Sequence, residues 1–169
     1  MKNIIITFIL IFNLSCEKQE MAAPQQEIIS FEYSIDGGGL PSVPSPKLFL
    51  SDNSGTIYLN YRHFKGLLNE NSKEPTTLDT ILLIDDLSRD SLLSILKAQI
   101  SLNDFSESVG FGYNQDLAYQ YREIMVLNTN LKTIYLNSYE NKGPENLLYA
   151  NSILKQYLKD SYVKIFKEK

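Results

Sequence analysis

The chain has 169 residues, and its 16 Lys and Arg against 20 Asp and Glu give a formal net charge of −4. Because an acidic surface repels phosphate groups, this composition excludes a nucleic-acid-binding function. The chain has one cysteine and one histidine, which excludes intrachain disulfides and zinc sites built mainly from these residues. A chain of this length is expected to form one domain with its own hydrophobic core.

The first sixteen residues have the order of a secretory signal, with one basic residue, Lys2, before an uncharged apolar run over residues 4–14. A membrane-spanning helix needs about 20 apolar residues, so this run is too short to span a bilayer stably. It ends in Asn13-Leu14-Ser15-Cys16, which resembles the lipobox of bacterial lipoproteins. In that family the cysteine is diacylated and becomes the new N-terminus, so the resemblance implies lipidation of Cys16.

This resemblance, together with the composition, predicts a division of the chain into three parts. Residues 1–15 are expected to be the signal peptide, residues 16–26 a lipidated cysteine with a flexible polar tether, and residues 27–169 a single domain. Ordinary cleavage after Ala23 is the alternative, which is disfavoured by the Pro24 that directly follows. We expect the lipid to hold the domain at the outer membrane or cell surface of a Gram-negative bacterium.

Alternation of apolar and polar residues marks the first predicted strand, which begins near Glu27. One face carries apolar side chains and the other polar ones: Ile29, Phe31, Tyr33 and Ile35 against Ser30, Glu32 and Ser34. Such alternation is typical of a half-buried strand. Glycines and prolines then predict a loop over residues 37–46. The turn formers of residues 51–55 separate short strands over residues 48–50 and 56–62, which predicts a β-hairpin.

A short strand or extended arm over residues 78–84 precedes the first predicted helix. Ser88 is expected to be the N-cap of this helix, with Leu87 and Leu92 packed together across its first turn. Apolar residues at helical spacing continue the pattern, which predicts that the helix ends near Leu102.

Residues 119–128 and 132–139 are rich in β-branched and aromatic side chains and predict a second hairpin. Pro144 is expected at the first position of a last helix, whose apolar stripe continues to Leu158. Together these elements predict an α+β fold, in which an antiparallel sheet of two hairpins plus an N-terminal strand carries two helices on one face.

In this order of elements the chain resembles small α+β domains of lipoproteins and secreted proteins. The pieces that carry the resemblance are Phe31-Glu32-Tyr33 before a glycine loop, Leu87-Ser88 leading into a helix that closes on Asp104-Phe105, the tyrosine-rich hairpin and the leucine-rich last helix. They extend over most of residues 27–169, and the resemblance implies no particular activity.

His63 is the one candidate base for a serine hydrolase, but no Gly-x-Ser-x-Gly motif supplies an activated serine. We therefore interpret His63 as a surface or structural residue, and a hydrolase that uses it is an alternative function. Gly37, Gly38 and Gly39 are suited to offer backbone N–H groups to a ligand. Leu40 follows them where a phosphate loop of the Walker type requires lysine, so a flexible strand connection is the main interpretation.

Asp85, Asp86 and Asp116 supply carboxylates, but their spacing does not match a calcium-binding loop. Asp85 and Asp86 are better explained as negative charges near the start of a helix, where they interact favourably with the helix dipole. We therefore expect no metal and no cofactor.

Tyrosine is abundant, at 11 residues, whereas tryptophan is absent. Strand alternation predicts that Tyr58, Tyr121 and Tyr135 lie on the sheet face opposite the helices. Tyrosine favours recognition surfaces because its ring is large and its hydroxyl forms hydrogen bonds. Simple pairing of the rings across neighbouring strands is the alternative.

These observations predict a membrane-tethered binding or structural module of the cell envelope that is not an enzyme, with an envelope protein or glycan as its partner. The candidate contact residues are the three tyrosines and the three glycines at positions 37–39. A periplasmic inhibitor or accessory subunit, which inserts the loop over residues 37–46 into the cleft of a partner, is the alternative.

Overall fold

The computed structural model describes residues 25–36, 45–62, 79–115 and 120–167. Within these ranges the following seven strands and two helices have complete bounds: β1 (Ile28–Asp36), β2 (Lys47–Ser51), β3 (Ser54–Asn60), β4 (Asp79–Leu83), α1 (Asp86–Gln99), β5 (Val109–Phe111), β6 (Arg122–Thr129), β7 (Thr133–Tyr139) and α2 (Glu145–Phe166). Neither helix of this part of the chain is both long and apolar enough to cross a membrane.

The strands form one sheet in the order β4-β3-β2-β1-β6-β7-β5. All neighbours are antiparallel except β5, which runs parallel to β7. The long strand β1 therefore lies at the centre, between the β2–β3 hairpin and the β6–β7 hairpin. This arrangement confirms the predicted α+β fold and both hairpins. The sequence pattern does not predict the three-residue strand β5, because this strand is too short to show an alternating pattern.

Both helices contribute to one hydrophobic core on a single face of the sheet. The buried side chains come from both helices and from the long strands: Phe31, Tyr33, Ile35, Leu48, Leu50, Ile57, Leu59, Leu92, Leu96, Met125, Leu127, Ile134, Leu136, Leu147, Leu154, Leu158 and Tyr162. Their burial confirms the alternation predicted for β3 and β7. The face that packs against the helices is called the core face below, and the opposite face is called the open face.

The alternation predicted for β1 is confirmed except at its first apolar position. Ile29 is 55% exposed, whereas the three apolar positions that follow it in alternation are buried. The pairing of β1 with β6 shifts in register between Ile28 and Ser30. Such an irregularity turns a side chain out of the alternating pattern, so Ile29 does not join the core.

Helix α1 begins earlier than its sequence pattern predicts. Its N-cap is Asp85, whose carboxylate accepts a hydrogen bond from the backbone N–H of Ser88 at 3.0 Å. This bond lowers the pKa of Asp85 and keeps a negative charge beside the positive end of the helix dipole. The prediction of Ser88 as the cap is therefore wrong. Leu87 is 82% exposed, so it does not pack across the first turn as predicted.

Candidate functional site

Two adjacent rows of side chains cross the open face from β4 to β7. The first row is Leu83, Thr56, Phe49, Glu32, Val126 and Tyr135, and the second row is Ile81, Tyr58, Lys47, Ser34, Ile124 and Asn137. Side chains two residues apart on a strand share a face, so both rows point away from the helices. Each row combines apolar, aromatic and polar groups.

A cavity of about 490 Å³ lies on the open face and is lined by residues of β1, β2, β6 and β7. The half-buried side chains of Ile124 and Val126 supply the apolar part of its lining. Glu32, Lys47 and Asn137 belong to its polar part. Its volume lies within the range of small-ligand sites, and its lining mixes apolar and polar groups.

Arg122 also lines the cavity and is held by two contacts. Its guanidinium forms an ion pair with Asp36 across the β1–β6 pair, and it lies 6.0 Å from the centre of the Tyr139 ring. A cation over an aromatic face is attracted by the ring electrons. The positive charge of Arg122 is therefore already compensated within the protein.

Three polar side chains of the second row have no hydrogen-bond or ion-pair partner among the described residues: Ser34, Lys47 and Asn137. Lys47 is exposed, whereas Ser34 and Asn137 are half-buried and face the cavity. In the first row, Glu32 is already engaged, because it accepts a hydrogen bond from Asn128 Nδ2 at 3.0 Å. The second row therefore brings unused hydrogen-bonding capacity to the cavity.

Two of the three predicted tyrosines, Tyr58 and Tyr135, lie on the open face as expected. Tyr135 is 50% exposed and lines the cavity, so its ring is accessible to a partner. The hydroxyl of Tyr58 donates a hydrogen bond to Asp79 Oδ1 at 2.8 Å. Burial, together with this bond, raises the pKa of Tyr58. The ring of Tyr58 extends the second row beside Lys47.

The placement of Tyr121 on the open face is wrong. Its hydroxyl donates a hydrogen bond to Glu123 Oε1 at 2.5 Å, and Lys155 Nζ of α2 lies 4.8 Å from the centre of its ring. Tyr121 is therefore on the core face, below α2. The pattern misleads because β6 is apolar on both faces, and Ile124 and Val126, whose apolar character predicts a position under the helices, line the cavity instead.

A polar cluster lies between β1, β6 and α2 and consists of Tyr33, Tyr121, Glu123 and Lys155. Lys155 Nζ lies 2.9 Å from Glu123 Oε1, which pairs a buried carboxylate with a partly exposed ammonium group. Burial raises the pKa of Tyr33 well above its ordinary value, and the charge of Glu123 raises it further. Burial and the hydrogen bond to Glu123 also raise the pKa of Tyr121. Both phenols are therefore neutral at pH 7.

Several predicted site residues lie outside the described residues: Cys16, Gly37, Gly38, Gly39, His63 and Asp116. Asp85 caps α1, and Asp86 forms an ion pair with Arg89 at 2.7 Å, so both serve the start of the helix as predicted. Within the described ranges, no three acidic, histidine or cysteine side chains lie together in a way that would hold a metal ion.

Sequence reasoning does not single out the polar residues of the cavity, which are Glu32, Ser34, Lys47, Arg122 and Asn137. They come from four strands, and the order of these strands in the sheet is not visible in any local pattern. The available signal is the polar residues at alternate positions of β1 and β7. That signal indicates an open face but does not locate a cavity on it.

Comparison of the chain with protein-family models, with curated protein sequences and with solved structures finds no match. The fold and the geometry of the cavity are therefore the basis for a functional interpretation. That geometry is a concave surface with apolar side chains, unpaired polar side chains and one accessible aromatic ring.

Proposed function

We propose that this protein is a lipid-anchored binding module of the cell envelope, which contacts its partner through the open face of its sheet. The observation that supports this most is the unequal covering of the sheet. Two helices cover the core face, whereas the open face keeps a cavity with a mixed lining. An antiparallel sheet commonly leaves one face to solvent, but that face is then mainly polar. Here Ile124, Val126 and Tyr135 give it an apolar part.

Exposed apolar side chains also occur at the β4 end of both rows. Ile81 is 72% exposed and Leu83 is 85% exposed. Both lie on the open face, because Ile81 is opposite Tyr58 and Leu83 is opposite Thr56. Exposed apolar patches with polar surroundings mark interaction surfaces. A partner that covers the open face would therefore bury this edge as well as the cavity.

Site-specific photo-crosslinking in the intact cell envelope tests this surface. A photoreactive phenylalanine in place of Tyr135 is expected to give adducts, because that position lines the cavity. Tyr149 on α2 is the matched control position, since it is 52% exposed against 50% for Tyr135 and lies on a helix. Absence of adducts at Tyr135, or adducts of equal yield at both positions, would overturn the proposal.

The lipid anchor is a separate part of the proposal, supported by the apolar run of residues 4–14 and by Cys16 at its end. Mass spectrometry of the mature protein is expected to find a diacylated N-terminal Cys16, since two acyl chains give stable membrane attachment. Cys16→Ser is expected to abolish the acylation. Ala23→Asp, which changes the alternative cleavage position, is expected to leave processing unchanged. An unacylated Cys16, or a mature chain that begins at Pro24, would contradict this prediction.

A further inference from the structure

We infer that the cavity on the open face is a binding site for a short neutral oligosaccharide. This inference rests on the proposed function, because it names the ligand class of the same surface. It is supported by the position of the cavity in the sheet, by the chemistry of its lining and by the balance of its charges.

The strands that line the cavity have no free edge in the described sheet. β2, β1, β6 and β7 are all interior strands, so their backbone groups pair with neighbouring strands. At the margin, the backbone N–H of Tyr135 donates a hydrogen bond to the hydroxyl of Ser108 at 2.9 Å. Proteins commonly bind extended peptides by adding a strand to a free edge. This cavity offers no such edge and recognises its ligand through side chains.

The lining presents apolar surface and unpaired hydrogen-bonding groups side by side. Ile124, Val126 and the ring of Tyr135 supply the apolar surface. The three unpartnered side chains of the second row supply a hydroxyl, an ammonium group and an amide, which together both donate and accept hydrogen bonds. A pyranose ring likewise combines apolar and hydrogen-bonding surface, with C–H groups on its faces and hydroxyls around its rim. The lining is therefore complementary to sugar rings.

The spacing of the unpartnered side chains indicates a ligand longer than one sugar ring. Lys47 on β2 and Asn137 on β7 are separated by three strand intervals, which correspond to about 14 Å. Both side chains line the same cavity of about 490 Å³. A single sugar ring is much shorter than this strand separation, whereas a short oligosaccharide laid across the strands spans it.

The charges of the lining are balanced, which disfavours a polyanionic glycan. Arg122 is already paired with Asp36, and the positive charge of Lys47 is accompanied by the carboxylate of Glu32 in the adjacent row. Strong binding of a polyanion requires several cations without partners. A neutral oligosaccharide fits these charges, and the Lys47 ammonium group serves as a hydrogen-bond donor to its hydroxyls.

Isothermal titration calorimetry of the full chain, kept in a detergent without sugar groups, tests the inference with chitotriose, cellotriose and maltotriose as probes. At least one trisaccharide is expected to bind, and to bind about tenfold more tightly than its monosaccharide. Tyr135→Ala and Asn137→Ala are each expected to weaken that binding about tenfold. The control variant Tyr149→Ala is expected to bind like the wild type, and circular dichroism checks that all variants are folded.

Failure of all three trisaccharides to bind would overturn the oligosaccharide inference, and so would equal weakening by Tyr135→Ala and Tyr149→Ala. If position 135 crosslinks to an envelope protein while no trisaccharide binds, the open face is a protein-binding surface and only this inference fails. If crosslinking at position 135 fails as well, the proposed function fails with it.

Discussion

Substitution of Lys155 by methionine is expected to lower the free energy of unfolding by about 2–3 kcal/mol, measured by urea denaturation at pH 7. Lys155 is the ammonium partner of Glu123, whose side chain is 3% exposed. Without it, the buried carboxylate keeps one hydrogen-bond donor among the described residues, the hydroxyl of Tyr121. The loss is smaller than for a fully buried pair because the Lys155 side chain is 36% exposed.

Lys97→Met is the matched control for this substitution, because it removes the same group from the other helix. Lys97 Nζ lies 2.7 Å from Asp52 Oδ1, and the two side chains are 48% and 66% exposed. Exposed pairs of this kind contribute less than about 1 kcal/mol, so Lys97→Met is expected to have a small effect. Equal losses in the two variants would contradict the role assigned to burial of Glu123.

Glu123→Gln in the Lys155→Met background separates charge from packing. The glutamine has no charge but keeps an acceptor for the Tyr121 hydroxyl, so the double variant is expected to recover about 2 kcal/mol of the loss. A double variant as unstable as Lys155→Met would instead attribute the loss to packing of the Lys155 methylene groups on the Tyr121 ring.

Local patterns predict much of the fold because, in most strands, one face is far more apolar than the other. In β3, Ile57 and Leu59 are buried, and Tyr58 lies between them on the open face. The same asymmetry in β7 correctly assigns Ile134 and Leu136 to the core. A register shift, as at Ile29, is not visible in such a pattern, because it depends on the pairing with β6.

In β6 the local pattern fails, because both faces of the strand are apolar. Met125 and Leu127 are buried in the core, while Ile124 and Val126 line the cavity, so apolar character alone does not select a face. The core side also holds Glu123, a charged residue whose burial requires the partner supplied by α2, 32 residues later in the chain. Two residues this far apart in the sequence form no local motif, so their pairing cannot be predicted from the sequence pattern.

The cavity depends in the same way on the order of the strands. Alternation predicts that Tyr58 and Tyr135 share the open face, which the structure confirms. The cavity exists because β1 lies between β2 and β6, which places Lys47 and Asn137 on opposite sides of Ser34 and Ile124. Hairpin patterns give the neighbours within each hairpin, but the pairing of β1 with both hairpins is a long-range contact that no local segment encodes.

Alkaline pH is expected to destabilise this protein through the tyrosines of the polar cluster below α2. Burial raises the pKa of Tyr33 in the folded state, and Glu123 adds to this increase, whereas a tyrosine in the unfolded chain has a pKa of about 10. Above about pH 10 the folded state therefore binds more protons than the unfolded state. The contribution of Tyr33 to stability is fully present below this pH, and it is lost as the pH rises toward the pKa of Tyr33 in the folded state. From Tyr33 alone, the free energy of unfolding is expected to fall by about 1.4 kcal/mol per pH unit in this range. The pKa of Tyr121 is also raised, by burial and by its bond to Glu123, so Tyr121 adds a slope of similar size in this pH range.

Urea denaturation from pH 7 to about pH 12 measures this slope, and Tyr33→Phe is expected to remove about half of it. The same variant is expected to be at least as stable as the wild type at pH 7, because the buried Tyr33 hydroxyl lies near Glu123 but has no hydrogen-bond partner of normal geometry among the described residues, and an unpaired buried polar group costs free energy. Tyr149→Phe removes a half-exposed tyrosine of α2 and is expected to keep the wild-type slope. An unchanged slope in Tyr33→Phe would show that another group causes the alkaline loss. Lower stability of that variant at pH 7 would mean that the hydroxyl is paired in the folded protein, and the cluster would then stabilise the fold through Tyr33 as well as through Lys155.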